Sequence, residues 1–120
     1  MNFLVTGCSR GVGLEICRAL LQQGHIVYGV ARSYTNEFKF LESSDLSDSE
    51  NVRKTVFREF IHNGIQLHGY VNNAAMAYDD IVTNLNLEKL QAMYAVNVFT
   101  PMMITKYALR NMLLHHTKGC

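Results

Sequence analysis

The chain is 120 residues long, 48% hydrophobic, and carries a formal net charge of +1. That length fits one domain around one core, and the apolar content excludes a disordered segment. The near-neutral charge gives no broad case for nucleic acid or an anionic membrane, and no apolar run approaches the ~20 residues of a membrane span. The cysteines, Cys8, Cys17 and Cys120, are odd in number and lack metal-ligand spacing. They read as reduced thiols of a cytoplasmic protein, and no signal-peptide pattern precedes the first apolar run.

Strand and helix patterns alternate along the chain, which predicts a parallel sheet with helices on its faces. The first strand is expected over 2–6. It runs into Thr6-Gly7-Cys8-Ser9-Arg10-Gly11-Val12-Gly13. A helix follows at once over 11–23, with Val12, Ile16, Ala19 and Leu20 spaced along one face and Gly24 placed to end it. Gly7, Gly11 and Gly13 let the backbone turn sharply and let a ligand approach it. The first helical turn leaves unpaired N–H groups and a partial positive charge, which suits a pyrophosphate. The spacing is Thr-Gly-x-x-x-Gly-x-Gly, not the Gly-x-Gly-x-x-Gly of other dinucleotide folds. The alternative is an ordinary strand–turn–helix that happens to be glycine-rich. Cys8 sits in this turn as a passive loop residue or a reactive thiol.

The second strand is expected over 25–31. NAD-preferring dinucleotide folds carry an acidic residue at its end, which binds the adenosine ribose. Here the chain reads Gly29-Val30-Ala31-Arg32-Ser33, without a carboxylate. Arg32 offers a planar fork of donors to a 2′-phosphate, and Arg10 approaches from the glycine turn. Two arginines without a competing acid favour NADP(H) over NAD(H); the alternative is two solvated surface arginines.

A polar loop leads to a short third strand over 39–44. Ser47 and Glu50 have capping-box spacing, so a helix is expected from there. Val52, Val56, Phe57, Phe60 and Ile61 give it a buried face, and Asn63-Gly64 end it. Asp45-Leu46 then falls where strand gives way to helix, at the ligand-binding edge of a doubly wound sheet; a plain turn aspartate is the alternative. The fourth strand, over 66–73, ends in Val71-Asn72-Asn73-Ala74-Ala75. Adjacent asparagines are poor strand residues, and their amides are expected to fix a loop geometry. Ala75 is expected to keep a negative φ.

Residues 76–84 read as a loop with a short helical turn, expected to lie over the cleft where it could touch substrate. Its Tyr78, Asp79 and Asp80 have no His or Cys partner at ligand spacing, so no metal is expected. Asn86 can cap a long helix running to about residue 115. Leu87, Leu90, Tyr94, Asn97, Val98, Pro101, Ile104, Ala108, Leu109 and Met112 cover much of its circumference, which suggests burial against the sheet and against another chain. Pro101 has no N–H, so the carbonyl of Asn97 loses its helical donor. Such a carbonyl beside a cleft could hold a water; the alternative is a kinked helix with a polar core residue.

The glycine turn, Asp45-Leu46, Asn72-Asn73-Ala74-Ala75 and Tyr94-Ala95-Val96-Asn97-Val98 together resemble the N-terminal half of the short-chain dehydrogenase/reductase (SDR) family. The resemblance covers the whole chain but about half of a typical member. It implies one NAD(P)-binding domain over 1–120, a three-layer Rossmann-type α/β fold. Its parallel sheet would run in the order 3-2-1-4 and stop before a fifth strand. Gly7, Ser9, Gly11, Val12 and Gly13 would hold the pyrophosphate and ribose side, and Arg10, Arg32 and Ser33 the 2′-phosphate side. Asp45 and Leu46 would contact the adenine, and Asn73, Ala74 and Ala75 the inner ribose region, with Ala75 replacing the family's usual glycine. Asn97 resembles the active-site asparagine, whose main-chain carbonyl binds a water linked to the catalytic lysine.

The function so implied is hydride transfer between NADP(H) and a small carbonyl or alcohol substrate. A homo-oligomer is expected through the 86–115 helix or the open edge of the fourth strand. The family's proton donor comes from a Ser and a Tyr-x-x-x-Lys pair. Four residues after Tyr28, Tyr34, Tyr70, Tyr78, Tyr94 and Tyr107 stand Arg32, Phe38, Ala74, Val82, Val98 and Asn111, none of them lysine. The chain alone is therefore expected to be inactive. The alternative function is a non-catalytic dinucleotide-binding or subunit-interaction fragment.

Overall fold

The computed structural model describes residues 1–31, 39–40, 46–61 and 64–120, with side chains at 39, 40, 59 and 60 left aside. Strand β1 (Asn2–Thr6) leads through the glycine turn into α1 (Gly11–Gln22), and β2 (Ile26–Val30) follows. β1 lies between β2 and β4 (Gly69–Val71), and both pairings are parallel. On the far side of β2 a two-residue strand, β3 (Lys39–Phe40), pairs in parallel with Tyr28 and Gly29. The rest of the expected third strand lies outside the described residues.

Side chains alternate across the sheet and seed two cores. Val5 and Val27 point to one face, where Cys8, Cys17, Ile16, Leu20 and Leu21 meet them. Leu4 and Val30 point to the other, into a larger cluster with Val52, Val56, Leu67, Ile104 and Met112. The result is a three-layer α/β fold: α1, the sheet, then the helices of the second half.

The inward face of α1 keeps the expected Ile16 and Leu20 but not Val12 and Ala19. Val12 is 70% exposed and Ala19 is exposed, while Gly13 and Cys17 are buried. Gly13 sets this rotation. A Cβ built on it would lie 2.1 Å from the Gly7 carbonyl oxygen, so no residue with a side chain fits against the strand there. Val12, one residue and about 100° earlier, then faces out. Gly24, at φ +83, ends the helix and donates to the Leu21 carbonyl.

The next helix starts one residue later than the capping-box reading. Asp48, not Ser47, is the cap: its carboxylate accepts from the Asn51 amide at 3.1 Å. Helix α2 (Ser49–Val52) widens into a π-helix over Arg53–Phe60. The Thr55 hydroxyl donates to the Asn51 carbonyl at 2.8 Å, competing with the backbone for that acceptor at the start of the wide stretch. Val52, Val56 and Ile61 are buried as expected, and Phe57 packs against them.

β4 is shorter than the expected 66–73 because side chains take over the backbone partners at both ends. Asn111, buried on the last helix, accepts from the Leu67 amide at 2.8 Å and donates to the Ile65 carbonyl at 2.7 Å. Asn2 donates to the Gln66 carbonyl. At the other end Asn73 turns to the glycine loop.

The long helix is three segments: α3 (Leu87–Tyr94), a π-helical stretch over Ala95–Phe99, and α4 (Thr100–Leu114). Asn86 caps it as expected, accepting from the Lys89 amide. Pro101 cannot donate to the carbonyl of residue 97 and its ring crowds that carbonyl; widening the preceding turn relieves both. The Thr100 amide accordingly reaches back to Ala95. Ile104, Ala108 and Met112 are buried against the sheet side, and Leu87, Tyr94 and Leu109 are exposed in the single chain.

Candidate active site

The glycine turn is built by close backbone approach. Gly7 adopts φ +66 and donates to the Val30 carbonyl at 2.9 Å. A Cβ on Gly7 would meet Ala74 and Asn73 at 2.9 Å. Asn73 closes the arrangement: its side-chain amide donates to the carbonyls of Thr6 (3.2 Å) and Gly7 (3.0 Å). The Thr6 hydroxyl oxygen accepts in return from the amides of Asn73 and Ala74. Strand β1, the turn, the start of α1 and the end of β4 are thus locked at one point. The expectation for the asparagine amides holds for Asn73, and among the described non-glycine residues positive φ falls at His116, not Ala75.

Above this point opens a cleft of about 820 Å³ at the C-terminal edge of the sheet. Gly7, Ser9, Arg10 and Gly11 form its floor, with Asn73, Ala74 and Ala75 beside them. Leu46 and Ala31 line one wall; Met76, Ala92 and Val96 line the other. Arg10 is the charged residue among those described in the lining. Gly11 adopts φ +61, and a Cβ there would meet nothing within 4 Å. The N-cap of α1 is Arg10 in an extended conformation, with no side chain bonded to the first-turn amides. A twelve-residue helix therefore presents open donors and its positive end to this space.

Of the expected site residues, Gly13 lies behind Gly7 as a packing position rather than in the lining. Val12 is exposed outside the described lining. Arg32, Ser33 and Asp45 lie outside the described residues. Asn97 does not line the cleft, yet it governs one wall. Its side-chain oxygen accepts from the Met76 amide at 2.8 Å, and its amide donates to the Met76 carbonyl at 2.7 Å. It pairs with that residue's backbone as a strand neighbour would.

Sequence reasoning did not single out Ala31, Ser47, Ala92 or Val96 as lining residues. Ala92 and Val96 were discoverable, since four-residue spacing before Asn97 puts them on one helical face. Met76 lines the cleft as the first residue of the 76–84 loop, which was expected to lie over it.

Other candidate groups are spent on structure. The Tyr78 hydroxyl donates to Asp80 at 3.4 Å and accepts from the Asn86 amide at 2.8 Å. Asp80 also accepts from Ile81. Among the described residues no group of His, Cys, Asp and Glu side chains is arranged for a metal, and no helix is long and apolar enough to cross a membrane. Cys8 and Cys17 are both fully buried under the turn. The Cys8 thiol donates to Cys17; this bond, then burial, pushes Cys8 well above its ordinary value, and the same bond holds Cys17 below its own. A thiol so buried and so protonated is a packing residue, not a nucleophile.

Comparison with known proteins agrees with this geometry. The family model described as short chain dehydrogenase matches residues 2–120. The chain is 30% identical to L-xylulose reductase of Caenorhabditis elegans, covering 98% of this chain and 50% of that protein. It is 34% identical to the NADPH-dependent 3-dehydrocapnine reductase of Ornithobacterium rhinotracheale, covering 86% of this chain and 40% of that one. A short-chain dehydrogenase structure from Streptomyces avermitilis superposes with a TM-score of 0.81 at 24% identity, over 97% of this chain and 46% of that chain. The chain thus spans half or less of the length of these relatives.

Proposed function

This chain belongs to the short-chain dehydrogenase family of oxidoreductases, and on that premise we propose that it forms the cofactor-binding half of an NADP(H)-dependent enzyme acting on a small carbonyl or alcohol. One observation carries the reading: the uncapped first turn of α1 opens onto the cleft beside Gly11, where a glycine with φ +61 leaves room for a ligand. Open amides, a helix's positive end and Arg10 in the same lining suit a pyrophosphate and an added phosphate.

In this proposal Gly7, Ser9, Gly11, Val12 and Gly13 hold or shape the pyrophosphate side. Arg10, Arg32 and Ser33 take the 2′-phosphate, which favours NADP(H) over NAD(H). Asp45 and Leu46 face the adenine, and Asn73, Ala74 and Ala75 the inner ribose. When bound, the nicotinamide gives or accepts the hydride. Asn97 positions the Met76 wall and joins the proton relay through its carbonyl.

The residues that would donate the proton are not among these 120, since no Tyr is followed at four residues by Lys. The proposed domain over 1–120, with strands in the order 3-2-1-4, is one half of a larger sheet. Cys120 supports this: its amide donates to the His68 carbonyl (3.1 Å) and its carbonyl accepts from the Tyr70 amide (2.9 Å), a parallel pairing on the outer edge of β4. The exposed Leu109 and Leu113 suit association with a second copy.

Calorimetry of this chain with NADPH and NADH tests the reading. Tight NADPH binding with weaker NADH binding is expected; equal binding overturns the phosphate assignment, and none from either overturns cofactor binding by this half. The second reading is a non-catalytic dinucleotide-binding or subunit-interaction module. The coding sequence after Cys120 separates the two: a Ser and a Tyr-x-x-x-Lys support the enzyme, and an immediate stop supports the module.

A further inference from the structure

We infer that Thr100 is a positioning residue that ties the two walls of the cleft together, holding Leu46 in place from the helix that carries Ala92, Val96 and Asn97. Thr100 is 1% exposed, at the junction where the π-helical stretch becomes α4. Its hydroxyl donates to the Leu46 carbonyl at 2.6 Å. A hydroxyl has one proton, so the 3.0 Å contact with the Ser49 hydroxyl must run the other way, with Ser49 donating to Thr100.

One buried side chain therefore holds both the loop residue that lines the cleft and the first residue of α2. Thr100 follows Val96 of the opposite wall by one helical turn. The π-helical widening before Pro101 rotates the helix locally, and Thr100 is the first residue to leave it. The Met76 wall is fixed separately, by Asn97. Two different residues on one helix thus hold the Leu46 and Met76 sides of the cleft.

This inference rests on the cofactor reading for its ligand, with the adenosine end of the dinucleotide lying at Leu46. Three variants test it. Thr100→Val keeps the shape and removes the hydrogen bonds; Thr100→Ser keeps the hydroxyl. Met112→Ala opens a cavity about three turns further along α4, roughly 18 Å away, and lowers stability without touching the cleft.

Each variant is titrated with NADPH and with adenosine 2′,5′-bisphosphate, well below its melting temperature. Amide hydrogen exchange is followed over residues 46–51. Thr100→Val is expected to weaken both ligands by the same factor, about tenfold, and to lose protection over 46–51. Thr100→Ser is expected to restore both, and Met112→Ala to leave affinity unchanged despite a lower melting temperature. Unchanged affinity in Thr100→Val, with the wild-type chain binding, overturns the inference and leaves the cofactor reading standing. If the wild-type chain binds neither ligand, the cofactor reading fails, and hydrogen exchange alone decides: lost protection in Thr100→Val supports the tie, and unchanged protection overturns it.

Discussion

The two faces of the sheet are held in different ways. On the α1 face, backbone lies against backbone: Gly13 touches the Gly7 carbonyl, and behind it the core is Val5, Val27, Ile16, Leu20 and two thiols. On the other face an apolar cluster is crossed by buried polar side chains, Thr100 and Asn111, each bonded to main chain far away in sequence. The difference follows from what each face must cover. α1 lies on regular strands whose amides are already paired along the ladder. The second face must also cover the irregular backbone at 46–48 and 64–68, and those peptide groups need partners that a purely apolar helix could not supply.

The largest expected effect tests the first face. In an ordinary helix, Gly→Ala gains roughly 1 kcal/mol from propensity alone. At Gly13 the added methyl would lie 2.1 Å from the Gly7 oxygen and 2.5 Å from the Asn73 amide nitrogen. Neither is the free end of a flexible chain, so α1 must move off the strand. Gly13→Ala is expected to destabilise by about 3 kcal/mol or more, read by urea denaturation, reversing the propensity sign. A stabilised variant would mean that the helix is free to shift and that close approach does not define this face.

The second face is tested next, at Asn111. Replacing it with Ala improves helix propensity and removes one buried polar side chain. It also strands the Leu67 amide and the Ile65 carbonyl. Two lost partners at a buried site outweigh the propensity gain, and Asn111→Ala is expected to cost about 2–3 kcal/mol by the same measurement. The loss should appear in hydrogen exchange as faster exchange at Leu67, next to β4. A neutral Asn111→Ala would show that water reaches this backbone, and the contrast between the faces would fall.

These two positions also show what the sequence discloses. Where the backbone requires glycine, the spacing is written directly: Gly7 and Gly13 mark the close contact of turn and helix, Gly11 marks the helix start at the floor of the cleft, and Asn72-Asn73 mark the strand end that closes it. Asn86 as a cap and Pro101 as a perturbation of the long helix are equally local signals. Asn111 and Thr100 were silent, because their roles depend on residues 44 and 54 positions away. Periodicity also assumes 3.6 residues per turn, and it mis-sorts faces wherever the helix widens, as over Ala95–Phe99. On α1 the pattern places Ile16 and Leu20 correctly and Val12 and Ala19 wrongly, for the opposite reason. A residue with no side chain, invisible to a hydrophobic pattern, fixes the rotation.

A smaller effect concerns Tyr70, on β4 facing α4. Burial pushes its phenol from 10.0 up to about 12. The folded state therefore keeps its proton to higher pH than the unfolded state does. Its contribution to stability is complete below pH 10.0 and is lost as pH rises through about 12. Denaturation midpoints are expected to fall across that window, and Tyr70→Phe to flatten the fall. Among the described residues the α1 face has no buried phenol, so a variant on that face, such as Leu21→Ala, should leave the shape of the alkaline profile unchanged. A profile equally steep in Tyr70→Phe would assign the alkaline loss to lysines and other groups instead.

The smallest effect separates two neighbouring residues at the entrance to the second face. The capping-box spacing nominates Ser47, whereas the carboxylate bonded to the Asn51 amide belongs to Asp48. A cap that accepts from a first-turn amide and places negative charge at a helix N-terminus is worth about 1 kcal/mol. Asp48→Ala is therefore expected to cost about that much in urea denaturation, with part of the loss recovered in Asp48→Asn, which keeps the acceptor without the charge. Ser47 lines the cleft and makes a contact of its own, so Ser47→Ala is expected to act chiefly on ligand affinity. If Ser47→Ala instead cost the larger share of stability, the helix would begin where the sequence spacing puts it. Leu46 would then be set by that cap rather than by Thr100.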